Sequence, residues 1–219
     1  MATSSLLAAI QERSARVGII GLGYVGVPLA LVFERAGFRV LGFDIDAAKV
    51  AKLNRGESHI RHIGSAQITA ARTTGRFEAT DDFDRLADMD AILVCVPTPL
   101  NDKHEPDLSY VENTARAIAR KLRPGQLIVL ESSTYPGTTE EVVLPVLEAA
   151  GVRCRVLVDE EVLVQAAAAG VGLEASKPAT PSLRAWLAYS PEREDPGNRD
   201  FTTQAIPKLV GGVDPESGK

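Results

Sequence analysis

Residues 17–44 read VGIIGLGYVGVPLALVFERAGFRVLGFD: a short apolar run, a glycine-rich bend, a longer apolar run, and a third run ending on Asp44. Few chain geometries satisfy that order. The first and last runs are apolar throughout, the pattern of strands covered on both faces, while the middle run has the length and spacing of a helix packed across them. Each glycine has a use in such a unit. Gly21 permits the tight turn out of the strand, Gly23 leaves out a side chain where a pyrophosphate approaches, and Gly26 lets helix and strand pack closely. The bend opens onto the free N–H groups of a helix, which attract phosphate. Asp44 follows Gly21 by 23 positions, where such folds hydrogen-bond the adenine ribose hydroxyls, and its charge repels the additional phosphate of NADP. The expected cofactor is therefore NAD. Glycines gather in many surface turns, so the spacing alone is weak; the strand before, the helix after and the acid beyond are independent supports.

The alternation continues down the chain. Leu6, Leu7 and Ile10 predict a leading helix over about 3–13, within a leading segment 1–15, and strands are expected at 16–20 and 39–43 around a helix at 24–36 ended by Gly37. Asp46 starts a helix through Leu53, and Ala66 to Thr73 predicts another before a short strand around Phe77. A buried strand at 90–96 stops at Pro97, Thr98 and Pro99, because two prolines forbid further ladder pairing. Asp107 or Ser109 caps a helix to about Leu122, a strand follows at 126–131, and Thr138 to Ala149 predicts one more helix with acids in its first turn. The expected fold class is α/β, a Rossmann-type doubly wound, mainly parallel sheet, with the NAD-binding domain running over 16–219. Within it, 152–186 reads as an insertion, alanine-rich and then crowded with Pro178, Thr180 and Pro181. Arg153 to Val158 and Leu183 to Tyr189 are expected strands, and Lys208 to Val210 a last one.

Composition narrows the classes of function. A chain of 219 residues that is 45% hydrophobic buries one substantial core. A formal charge of −5 and no run of lysine or arginine leave no electrostatic footprint for nucleic acid or an anionic membrane. The opening MATSSLLAAIQER lacks the basic segment and long apolar stretch of a signal peptide, and no run is long enough to span a bilayer, so a cytoplasmic protein is expected. Cys95 and Cys154 cannot form a disulfide framework, and Cys95, inside AILVCV, reads as a small buried hydrophobe. His59 and His62 lie three apart with no cysteine or carboxylate cluster, so solvated loop histidines are expected rather than a metal site.

Four segments in order, GLGYVGVPLA at 21–30, VPTPL at 96–100, ESSTYPGTTEE at 131–141 and YSPEREDPGN at 189–198, resemble the N-terminal half of the UDP-glucose/GDP-mannose dehydrogenase family. The wording YSPEREDPGN and IPKLVGG is most similar to the branch that oxidises UDP-N-acetylhexosamines. The resemblance implies two successive NAD-dependent oxidations at the sugar C6, alcohol to aldehyde to acid, with the aldehyde held on a cysteine. Residue by residue, it implies Tyr24 and Val25 against the pyrophosphate, Asp44 and Lys49 at the ribose, and Val96, Pro97 and Thr98 along the nicotinamide. Ser133 and Thr134 fall where cofactor and sugar meet, with the Thr134 hydroxyl holding a water or substrate oxygen. Glu192 corresponds to a glutamate acting through water as a base, and Arg193 to a substrate-contacting neighbour. Plainer readings stand beside these: Ser133 and Thr134 as caps of a strand-to-helix turn, and Glu192 to Asp195 as a solvated charge run. Position favours function, since VPTP, SST and SPE each follow directly on a strand end.

The sequence departs from that family in two respects. The cysteine followed by Pro-Lys-Asp, the lysine and asparagine of the linking helix, and the C-terminal domain that closes over UDP do not occur in it. The expectation is the NAD-binding half of a nucleotide-sugar 6-dehydrogenase, which binds NAD without turnover unless a separate partner or the remaining domain supplies the thiol. The stretch 152–186 is also longer than a direct helix-to-strand connection. A non-catalytic NAD-binding module that regulates a full-length dehydrogenase is the other class of function, and a homo-oligomer is left open. A short-chain reductase is excluded, because no tyrosine has a lysine four residues on.

Overall fold

The computed structural model describes residues 2–100, 106–151, 153–154, 184–190 and 211–212. Its strands are β1 (Arg16–Ile20), β2 (Arg39–Phe43), β3 (Phe77–Thr80), β4 (Ala91–Val94), β5 (Leu127–Leu130), β6 (Arg153–Cys154), β7 (Arg184–Tyr189) and β8 (Gly211–Gly212). They form one sheet in the order β3-β2-β1-β4-β5-β7-β6, every neighbour parallel, with β8 antiparallel to β7. The helices are α1 (Ala2–Gln11), α2 (Gly26–Arg35), α3 (Ala47–Asn54), α4 (Ser65–Thr73), α5 (Ser109–Ala119) and α6 (Leu144–Glu148).

Two apolar clusters, one on each face of the sheet, explain why the strands lack polar alternation. Val17 and Ile19 of β1 join Val27 and Leu31 of α2, Leu53 of α3 and Ile68 of α4. The other face gathers Ile20, Phe43, Ile92 and Leu130 with Val111 and Ile118 of α5 and Leu147 of α6. Side chains of a strand alternate between faces, so both sets must be apolar when helices cover both. Each large side chain so buried contributes about 1.5–3 kcal/mol of transfer free energy.

At the amino ends of the strands, polar side chains hold neighbouring segments together. The Asp90 carboxylate accepts from the Arg16 N–H at 2.8 Å and from Arg123 Nη2 at 2.7 Å. Arg123 also donates to the carbonyls of Ala87 and Met89, and the fully buried Gln126 amide donates to Leu86 and Met89 while accepting from the Arg123 N–H. No buried polar group of that amide is left without a partner.

The helix expected over 138–149 is divided. Thr138–Val143 forms a wide π-type turn, and only Leu144–Glu148 is α-helical. Pro145 sits in the first turn of α6 and has no N–H for the carbonyl one turn back, so an unbroken α-helix is forbidden there. A 3-10 turn at Phe83–Asp88, capped by the Asp82 carboxylate on the Asp84 N–H, was not expected, being too short to show a period. At α5, Asp107 rather than Ser109 supplies the acceptor, its Oδ1 lying 2.9 Å from the Ser109 N. The expected strand 153–158 is described only at Arg153–Cys154. The rest of the expected insertion up to β7, the expected strand 208–210, and Glu192 and Arg193 lie outside the described residues.

Candidate functional site

The helix after β1 packs on one face of the sheet and the helix after β4 on the other, although β1 and β4 are neighbours. Connections that leave adjacent strands in opposite directions open a crevice beyond their carboxyl ends. Those of the expected site residues that are described lie in or near the segments that follow these strand ends.

On the β1 side the glycines differ in what fixes them. Gly21 has φ +94°, its N–H donates to the Phe43 carbonyl at 2.8 Å, and a β-carbon on it would lie 2.5 Å from the Cys95 carbonyl oxygen. A β-carbon on Gly26 would overlap the Gly21 carbonyl. Gly23 is different, because a β-carbon there meets nothing within 4 Å. Structure demands glycine at 21 and 26; at 23 the chain itself leaves open space. The N–H groups of Gly23, Tyr24, Val25 and Gly26 have no acceptor among the described residues, as expected of the first turn of a helix.

Asp44, at the end of β2, is 7% exposed. Its Oδ2 accepts from the Leu22 N–H and its Oδ1 from the Asp46 N–H, both at 2.9 Å, and Lys49 Nζ stands 3.8 Å from Oδ2. An ionised carboxylate has about four acceptor positions, so both oxygens keep capacity for hydroxyl donors. Ile45 beside it is 82% exposed, and Asp46 caps α3 through the Ala48 and Lys49 N–H groups.

Across the crevice, the loops after β4 and β5 are tied by hydroxyls. Ser132 Oγ donates to the Val96 carbonyl at 2.8 Å, and Thr98 Oγ1 to the Ser133 carbonyl at 2.8 Å. Val96 and Thr98 are half-buried, Pro97 and Ser133 exposed, and Thr134 half-buried. Buried Ser132, not singled out from the sequence, therefore joins the two loops, while its neighbours Ser133 and Thr134 are more exposed. Its signal was only its place at the end of an apolar strand.

His59 departs from the sequence reading, while His62 is exposed. His59 is half-buried, not solvated: its Nε2 lies 2.7 Å from the Leu22 carbonyl oxygen. His62 stacks on Tyr24 with ring centroids 5.7 Å apart and planes inclined by 23°. Both are carried by a loop whose Ile60 and Ile63 enter the core. That alternation of histidine and isoleucine was the available signal. Among the described residues no group of three or more His, Cys, Asp or Glu is placed to hold a metal ion. A cavity of about 120 Å³ lies at the opposite, amino end of the strands, lined in part by Arg16, Arg39, Arg76 and Glu78. It is remote from Asp44 and from the glycine bend.

A row of free N–H groups, open space at Gly23 and a strand-end carboxylate are the parts that hold a dinucleotide, and the residues present fit one. An open parallel sheet with such a crevice defines a dinucleotide-binding domain. The chain belongs to the UDP-glucose/GDP-mannose dehydrogenase family, whose NAD binding domain matches residues 15–219. Its cofactor is NAD, and the family is one of NAD-dependent dehydrogenases. It is 30% identical to the UDP-N-acetyl-D-glucosamine 6-dehydrogenase of Pseudomonas aeruginosa over 93% of this chain and 41% of that protein. It is 40% identical to the UDP-N-acetyl-D-mannosamine dehydrogenase of Escherichia coli over 58% of this chain and 30% of that one. Among solved structures, GDP-mannose dehydrogenase of Pseudomonas aeruginosa in a ternary complex superposes with TM-score 0.70 at 27% identity, covering 93% of this chain and 42% of that one. The NDP-N-acetyl-D-galactosaminuronic acid dehydrogenase of Methanosarcina mazei gives 0.69 at 30% identity, covering 97% and 42%. The matches thus span 30–42% of the length of these relatives.

Among the described residues, no helix is long and apolar enough to cross a membrane.

Proposed function

We propose that this chain, residues 16–219 as one domain, is the cofactor-binding part of an NAD-dependent UDP-sugar 6-dehydrogenase acting on a UDP-N-acetylhexosamine. The observation that carries the reading is the pairing of Asp44, anchored by the Leu22 N–H, with the N–H row from Gly23 to Gly26, which has no protein acceptor among the described residues. Bound NAD supplies a hydride acceptor for a sugar alcohol carbon. The chain's own residues bind and orient. Gly23, Tyr24, Val25 and Gly26 offer backbone donors to the pyrophosphate; Asp44 accepts from the ribose hydroxyls, with Lys49 Nζ 3.8 Å from that carboxylate; exposed Ile45 offers an apolar face to the adenine.

Gly21 sets the bend. Val96, Pro97 and Thr98 line the nicotinamide side, and the Thr98–Ser133 tie fixes the width of that lip. Thr134 is assigned the water or substrate oxygen beside the reacting carbon, Glu192 the base acting through water, and Arg193 a contact to the sugar nucleotide. The thiol chemistry that completes oxidation to the acid is assigned to the part of the protein that the longer relatives possess beyond this region. Assembly of this chain with that part, or with a second copy, belongs to the same proposal.

Calorimetry with NADH and NADPH tests it. The wild-type chain should bind NADH the more tightly, and Asp44→Ala should weaken NADH by about 10–100-fold, the worth of hydrogen bonds to a charged group. Equal binding by Asp44→Ala, or a preference for NADPH, would overturn the reading.

A further inference from the structure

We infer that His59 is a positioning residue for the dinucleotide bend: it holds the Leu22–Gly23 peptide so that the Gly23 N–H is aimed at the pyrophosphate. The inference rests on the cofactor reading above. Leu22 is flanked by two glycines, at 21 and 23, which impose little torsional restraint of their own. Two contacts made by fully buried Leu22 supply what the glycines lack. Its N–H donates to Asp44 Oδ2 at 2.9 Å, and its carbonyl receives His59 Nε2 at 2.7 Å. A trans peptide is planar, with its C=O and N–H directed oppositely. Fixing the Leu22 oxygen toward His59 therefore turns the Gly23 N–H away from His59, on a residue with open space around it.

The imidazole is itself well placed to act as a brace. A carbonyl oxygen can only accept, so Nε2 carries the hydrogen. The other nitrogen, Nδ1, is buried and has no partner among the described residues. The ring is thus committed to one bond, to Leu22. Ile60 and Ile63, both buried and both following it in sequence, anchor the loop in the core, and the Ser58 N–H is bound to Ser65 Oγ at 3.0 Å. From the same loop His62 stacks on Tyr24. The bend is held from outside by a loop that lies beyond the βαβ unit in sequence. Pre-setting a donor in this way lowers the ordering cost of binding.

Glutamine separates this role from mere packing, because its side-chain amide nitrogen reaches about as far as imidazole Nε2 and can only donate. NADH titration should find His59→Gln close to wild type, while His59→Leu and His59→Asn, equally folded by far-ultraviolet circular dichroism, bind about tenfold more weakly, equivalent to about 1.4 kcal/mol. A folded His59→Leu chain that binds NADH as tightly as wild type would overturn the inference and leave the cofactor reading intact. A wild-type chain that does not bind NADH would sink both. Should the leucine variant fail to fold, nitrogen-15 NMR of the wild-type imidazole decides: hydrogen on Nε2 is expected, and hydrogen on Nδ1 alone refutes the bond to Leu22.

Discussion

The glycines of the bend look alike in sequence and are not alike in consequence. Gly21 combines a positive φ with a neighbouring carbonyl, and Gly26 has the Gly21 oxygen where a β-carbon would stand, whereas Gly23 has nothing near it. Gly26→Ala should therefore lower stability by about 1–3 kcal/mol or more through overpacking against backbone, and lose NADH binding with it. Gly23→Ala should melt within about 2 °C of wild type yet bind NADH more than about tenfold more weakly, since only the ligand needs that space. Calorimetric melting beside NADH titration checks both, and a Gly23→Ala chain with full affinity contradicts the phosphate path. The sequence motif identified all three positions but could not rank them. That ranking depends on Cys95 and Gly21 carbonyls brought close by the sheet.

At the level of elements, the edge strand β3 shows how a long-range contact completes what local pattern starts. Asn54, the last residue of α3, donates to the Ala79 carbonyl at 2.8 Å and accepts from the Ala79 N–H at 3.0 Å, satisfying a residue that has no strand on its outer side among the described residues. Asn54→Leu should cost about 1–3 kcal/mol in urea unfolding, because two backbone groups lose their partner. Also on β3, the Arg85 guanidinium bonded to Glu78 holds that carboxyl below the usual carboxylate range. A carboxyl lowered in the folded state stabilises above its unfolded value, about 4.3, and loses that contribution as the medium becomes more acid. Glu78→Gln should then be less stable than wild type at pH 7 by under about 1 kcal/mol, the pair being half exposed, and the gap should close below about pH 4. Strands β1 and β2 and helices α2 and α3 were legible because their apolar runs and caps are local. The π turn before α6, the 3-10 turn at 83–88 and the docking of His59 were not. Each is decided by a proline's missing donor, a short cap or a tertiary contact.

Taken as a whole, the chain has a cofactor face whose free energy of binding adds to its folding stability. A saturating ligand that binds only the folded state stabilises by about 2.7 kcal/mol at a hundred times its dissociation constant. NADH should therefore raise the melting temperature in a concentration-dependent way, and NADPH at equal concentration should raise it less; identical shifts would contradict the role given to Asp44. The two ends of the sheet are built differently. Asp90, Arg123 and Gln126 lock one end with side chains that bridge strands and turns, while the other carries free donors, an exposed Ile45 and hydroxyl ties confined to two loops. For protein engineering this separation means that Ile45 is open to redesign toward a different coenzyme, whereas Asp44 and Asp46 beside it also hold the bend and cap α3: the fastening that keeps the strands in register lies some distance away, on the far rim.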